Sequence, residues 1–269
     1  MLATRIISAL VFAPALFWVV WKGDVYLEGA CAGIALLMLW EYLRMTASST
    51  ERWLRGVGYG LGLVLVAALY DWFPGAGSKA LLPMGAMLLW IVALGRPVPI
   101  EDSVKRVALV GFGIVYCCSL LPFLGLLRSM EEHGLGLSVL ALFSTWGADT
   151  CAYFAGRALG KHPLYPIISP KKTIEGAVGG VAGAVAVAFL VSEIDVLGLS
   201  LPAHHLVGMG VCAALFGMVG DLAASMLKRS TGTKDSSALI PGHGGLLDRF
   251  DGVMFSAPAL YSYAALFLA

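Results

Sequence analysis

The chain has 269 residues, a formal net charge of +1, 59% hydrophobic residues and only 13% charged ones. Its mean hydropathy of +0.84 and its apolar runs of about 15 to 22 residues exclude a water-soluble domain, since about 20 apolar residues carry a helix across a hydrocarbon core. The runs are continuous rather than alternating, which argues against a transmembrane β-barrel. The net charge by itself says nothing about partners, and no nucleic acid partner is expected.

These features predict an all-α, polytopic integral membrane protein with about nine transmembrane helices. The spans are expected near 4–21, 25–43, 56–72, 79–95, 107–127, 135–156, 174–192, 203–227 and 252–269. Arg5 before the first run imitates a signal peptide, but no cleavage site follows and further spans do, so the run reads as the first span. With the N-terminus cytoplasmic and the C-terminus periplasmic, only Lys22, Lys79 and Arg128 of the 18 Lys and Arg fall outside, as the positive-inside rule asks. The two most polar loops, 157–173 and 228–251, then share the cytoplasmic face. Cys31, Cys117, Cys118, Cys151 and Cys212 all lie in apolar segments without metal-type spacing, and read as small apolar helix residues.

Residues 1–130 read as a multi-span region without evident chemistry. Glu41, in the segment WEYLR, reads as an interfacial anchor between Trp40 and Tyr42. Residues 131–269 form the region expected to carry the active site. Asp149 lies inside an apolar run, where a carboxylate costs about 2.5–3.5 kcal/mol and calls for a partner. Asp149, Tyr153 and Arg157 are spaced to share one helix face. Either a local Asp–Arg tether or the wall of a polar pocket fits that spacing. The following GRALGKH only imitates a P-loop: three residues separate Gly156 from Gly160, and His162 stands where Ser or Thr would bind Mg²⁺.

In SPKKTIEG, Thr173 is placed to cap a helix and Glu175 to sit in its first turn. Lys171 and Lys172 oppose the dipole of that helix unless an anion binds there, which favours a phosphate site. Gly176 with Gly180, and Gly179 with Gly183, give small-xxx-small spacing for close helix packing. Asp221, Ser225 and Lys228 form one helical stripe that runs into a polar loop. That loop carries Arg229, Lys234, Asp235, the glycines around His243 (Gly242, Gly244, Gly245), then Asp248, Arg249 and Asp251. Glycines here let backbone N–H groups approach an anion. Hard carboxylate oxygens beside basic groups suit Mg²⁺ and phosphates, and so phosphoryl or nucleotidyl transfer. A lipid co-substrate follows from the membrane setting.

The segment 225–251, SMLKRSTGTKDSSALIPGHGGLLDRFD, resembles the signature of the phosphatidate cytidylyltransferases, and AYFAGRALGKH and SPKKTIEG resemble further segments of that family. The resemblance implies transfer of CMP from CTP to phosphatidate, giving CDP-diacylglycerol and pyrophosphate. It implies a Mg²⁺-dependent enzyme of the bacterial inner membrane, with its site facing the cytoplasm, and a homodimer. A second, monovalent cation stays open. By motif position Asp221 and Asp248 are carried over as metal ligands, with Asp251 in support. Our charge argument adds Lys228, Lys234, His243 and Arg249 as catalytic residues. It makes Lys171, Lys172, Asp149, Arg157, Ser225, Arg229 and Gly244 substrate-binding. A transporter with a cytoplasmic anion gate, or another membrane-lipid phosphotransferase, is the alternative; the D-G-x2-A-R pattern of the CDP-alcohol phosphotransferases is not found.

Overall fold

The computed structural model describes residues 2–47, 52–74, 78–95, 100–240, 242 and 244–268. Among them the first half holds α1 (Leu2–Lys22), α2 (Asp24–Thr46), α3 (Arg52–Leu69), α4 (Ser78–Leu94), α5 (Ile100–Cys118) and the short α6 (Phe123–Arg128). The second half holds α7 (Gly134–Leu159), strands β1 (Pro163–Tyr165) and β2 (Ser169–Thr173), α8 (Ile174–Ser192), α9 (Ala203–Ser230) and α10 (Leu247–Phe267).

Each expected span coincides with a helix, α5 and α6 sharing the fifth, which breaks just before Pro122. Among the described residues six segments are long and apolar enough to cross a membrane: α2, α3, α5 with α6, α7, α8 and α9. Crossing by α1, α4 and α10 is a proposal. The first turns of α10 carry Asp248, Arg249 and Asp251, a heavy charge load for a span.

Two local features go beyond the expected helices. The loop after α7 folds into an antiparallel hairpin, with Pro163 opposite Thr173 and Tyr165 opposite Ser169. α9 and α10 extend past the expected spans, which shortens the polar loop between them to residues 231–246.

The start of α8 is fixed by its own sequence. The Thr173 hydroxyl oxygen accepts the Gly176 N–H at 3.1 Å, the N-cap that the spacing predicts. Glu175 accepts from the backbone N–H of Lys161 (3.1 Å) and of His162 (3.3 Å) and meets His162 Nδ1 at 2.6 Å. This ties the exit of α7 to the entry of α8. The two helices then pack almost backbone to backbone. A Cβ on Gly176, Gly180 or Gly183 would lie 2.9, 3.1 or 2.9 Å from a carbonyl oxygen of α7. Small residues permit that approach, which is how helices associate without a hydrophobic drive.

One buried core runs through both halves, from Leu16 to Ala264. Tyr42 of α2 contacts Tyr116 of α5 at a centroid distance of 6.3 Å, and Tyr116 contacts Phe255 of α10 at 6.2 Å. The C-terminal ends of α2, α7 and α9 and the N-terminal ends of α8 and α10 meet at one end of the bundle. The other end is tied by Arg128 Nε donating to Val20 O (3.0 Å) and by His133 Nδ1 against Gly198 O (2.6 Å).

Candidate active site

At that shared end a cavity of about 370 Å³ opens between α7, α8, α9 and β2. Small residues on three helices, among them Ala148, Gly180 and Gly217, leave the space, and Asp149, Arg157, Lys171, Lys172 and Asp221 line it. Arg157 Nη1 donates to the Tyr153 hydroxyl at 3.0 Å, so its hydrogen bond goes to the middle residue of the Asp149–Tyr153–Arg157 face. Lys172 pairs with Asp221, their side chains 28% and 29% exposed, and the Ser225 hydroxyl donates to Asp221 at 3.3 Å. The pair joins the hairpin to α9. Lys172 therefore supplies the positive charge at Asp221, and Lys228 of the same stripe turns elsewhere.

Lys228 Nζ donates to Asp248 Oδ1 at 2.6 Å, with side chains 13% and 7% exposed. Asp248 Oδ2 accepts from the backbone N–H of Ser236 (2.8 Å), the Ser236 hydroxyl (2.9 Å) and the Gly245 N–H (3.0 Å). Gly242 and Gly244 adopt φ of 79° and 80°, a region that favours glycine, and Gly244 O accepts from Ile240 N at 2.8 Å. The turn they build brings the Gly245 N–H onto the carboxylate of Asp248. The anion cradled by this glycine-rich backbone is thus the chain's own.

A second carboxylate holds the same loop from α2. Glu41 is fully buried and accepts from the Ser236 hydroxyl (2.9 Å), the Ser237 hydroxyl (2.6 Å), Leu246 N (2.9 Å) and Leu247 N (2.8 Å). Sequence reasoning took Glu41 for an anchor. Its signal was that a carboxylate inside an apolar helix needs donors, and the donors lie some 200 residues away. A Cβ on Gly245 would run into the Ser236 hydroxyl and both oxygens of Glu41. Gly245→Ala is therefore expected to cost about 1–3 kcal/mol in overpacking and to displace the loop. Thermal unfolding in detergent and turnover check this, and both should fall.

The remaining charges converge near the cavity. Asp149, Asp221 and Asp251 lie in one another's electrostatic field. Lys172 and Arg249 act on Asp149, and Lys228 acts on Asp251. Asp251 also accepts the Gly252 N–H at 2.8 Å. The Tyr116 hydroxyl is buried, has no hydrogen-bond partner among the described residues, and feels Asp251 and Asp221. Lys171, Arg229, Lys234 and Arg249 are exposed, and His243 lies outside the described residues.

Among the described residues no group of three or more His, Cys, Asp or Glu is arranged to hold a metal ion. Mg²⁺ often takes only one or two carboxylates, with substrate phosphates and waters completing its shell. Asp221, on the cavity wall and more than a quarter exposed, is a carboxylate of that kind. Asp221 and Asp251 carry hard oxygens in each other's field, whereas at Asp248 Lys228 occupies Oδ1 and the Ser236 and Gly245 N–H groups hold Oδ2.

The chain matches the model of the cytidylyltransferase family over residues 3–267. It is 35% identical over 271 residues to a phosphatidate cytidylyltransferase of Brucella suis, covering 99% of this chain and 94% of that protein. A phosphatidate cytidylyltransferase of Staphylococcus saprophyticus is 33% identical over 264 residues, covering 96% and 95%.

Proposed function

The chain belongs to the cytidylyltransferase family, and from that premise we propose that it joins the CMP of CTP to phosphatidate, giving CDP-diacylglycerol and pyrophosphate. The observation that carries the reading is the meeting, at one end of a membrane bundle, of a lysine-lined cavity with the carboxylates of α9 and α10.

An oxygen of the phosphatidate phosphate attacks the α-phosphorus of CTP. One P–O bond forms, the α–β anhydride breaks, and the electron pair leaves with pyrophosphate. The nucleophile is already ionised near neutral pH, so the reaction needs no strong general base. The barrier is repulsion between two anions, and preorganised positive charge lowers it.

Lys171 and Lys172, on the cavity wall, hold a substrate phosphate. Lys228, Lys234 and Arg249, on the loop side, neutralise the departing pyrophosphate. The lysine contacts to Asp221 and Asp248 keep Lys172 and Lys228 pointed inward before substrate arrives. Asp221, with Asp251 in support and with Asp248 Oδ1 once Lys228 turns from it to the substrate, would hold Mg²⁺. When bound, that ion supplies charge neutralisation at the reacting phosphate.

The small-residue walls of the cavity at the membrane segment suit the lipid, and the exposed basic residues of the loop suit the nucleotide. A homodimer in the bacterial inner membrane, with the site facing the cytoplasm, completes the proposal. The clustering of basic side chains at the site end supports that orientation.

The test is pyrophosphate release by purified protein in detergent–phosphatidate mixed micelles. Release is expected to require CTP, phosphatidate and Mg²⁺ together, to stop with EDTA, and to fail with ATP. Folded protein that releases no pyrophosphate from CTP and phosphatidate would overturn the reading.

A further inference from the structure

The helix that follows the signature loop, α10, begins at Leu247 and takes no side-chain cap from its own N-cap residue, Leu246. A helix start leaves backbone N–H groups that need acceptors, and burying them unpaired costs about 1–3 kcal/mol each. Those of Leu246 and Leu247 are buried here, and both donate to Glu41 of α2, one to each carboxylate oxygen.

Each oxygen of Glu41 takes a second donor. Oε1 accepts from the Ser237 hydroxyl and Oε2 from the Ser236 hydroxyl. Ser236 connects this anchor to the site, because its hydroxyl lies 2.9 Å from Glu41 Oε2 and 2.9 Å from Asp248 Oδ2. It has one proton and can donate to only one of them at a time. The Ser236 backbone N–H and the Gly245 N–H hold Asp248 Oδ2 on the other side. The orientation of Asp248 Oδ1 toward Lys228 is thereby set by a loop that α2 grips at residues 236–237 and 246–247.

We propose that Glu41 is a positioning residue for cytidylyl transfer: it caps α10 from α2 and, through Ser236, fixes the carboxylate of Asp248 against Lys228. This inference rests on the functional reading above. Glu41 touches no reacting atom. A carboxylate is required, because a backbone N–H addresses each oxygen and an amide nitrogen in either place would oppose a donor. Glu28, about 20 Å away along the same helix, makes a different contact: it accepts from Trp72 Nε1 at 2.6 Å.

The experiment compares full-length wild-type, Glu41→Gln and Glu28→Gln proteins in mixed micelles, per folded molecule, with hydrogen exchange measured on the same samples. Glu41→Gln is expected to lower kcat by about 10- to 100-fold with the KM for CTP within about threefold of wild type. Exchange should rise at residues 236–248 and stay unchanged in α8. Glu28→Gln should keep wild-type kcat. A role confined to folding would lower the yield of folded protein and leave its kcat intact, and that result would overturn the proposal. If Glu41→Gln does not fold, Ser237→Ala decides, since it removes one hydroxyl donor only. A kcat lowered by about three- to tenfold supports positioning, and an unchanged kcat overturns it. Wild-type protein that makes no product from CTP and phosphatidate would instead sink the functional reading, and the positioning role with it.

Discussion

Asp221→Asn is expected to lower turnover by about a hundred- to a thousandfold while leaving the protein folded. The expectation follows from how little structure depends on this carboxylate. Its partners are Lys172 and the Ser225 hydroxyl, and both members of the ion pair are more than a quarter exposed at the side chain. Screening by solvent reduces the stability contributed by such a pair to below about 1 kcal/mol. Chemistry depends on it much more. Asp221 lines the cavity beside Lys172 and shares its field with Asp149 and Asp251. Loss of its charge frees Lys172 from its inward position and removes an oxygen suited to Mg²⁺. Steady-state kinetics and thermal unfolding of the same preparation check both halves of the expectation: kcat falls and the unfolding temperature does not.

Asp248→Asn is expected to abolish measurable turnover and also to destabilise the protein. The pair with Lys228 is nearly closed to solvent, with side chains 13% and 7% exposed. Breaking a buried pair from one side costs about 3–5 kcal/mol, because the other charge stays behind without compensation. Asn cannot repair the geometry. An amide nitrogen turned toward Lys228 meets an ammonium, and turned toward the loop it meets the N–H groups of Ser236 and Gly245. The mutant should therefore show a lowered unfolding temperature and increased exchange across residues 231–246, unlike Asp221→Asn. Equal unfolding temperatures for the two variants would contradict the different structural roles given to these aspartates.

The membrane class and the helix positions were legible because apolar run length is a one-dimensional property. So was the N-cap of α8, since Thr173 and Gly176 are three residues apart and their bond is local. The sequence also pointed to the end of the molecule where charge would collect. The pairing within that end was not legible. Helical spacing put Lys228 on the stripe of Asp221, yet Lys228 reaches Asp248 and Asp221 takes Lys172 from the hairpin. Spacing reports which residues share a face and is silent on what another helix brings to it. Glu41 was read as an interfacial anchor for the same reason: its four donors come from residues 236–247, and nothing near WEYLR announces them. The glycines around His243 were read as a cradle for a bound phosphate. In the fold, the adjoining Gly245 N–H holds Asp248.

The central claim is that the carboxylates meeting Lys172 and Lys228 form the site of cytidylyl transfer to a lipid. Its most direct test follows label from the α-phosphate of CTP into extracted lipid, with equal amounts of folded wild-type and Asp221→Asn protein. Phosphatidate-dependent labelling is expected of the wild type, and about 1% of that rate or less of the variant. Labelling by folded Asp221→Asn at a rate near that of the wild type would contradict it.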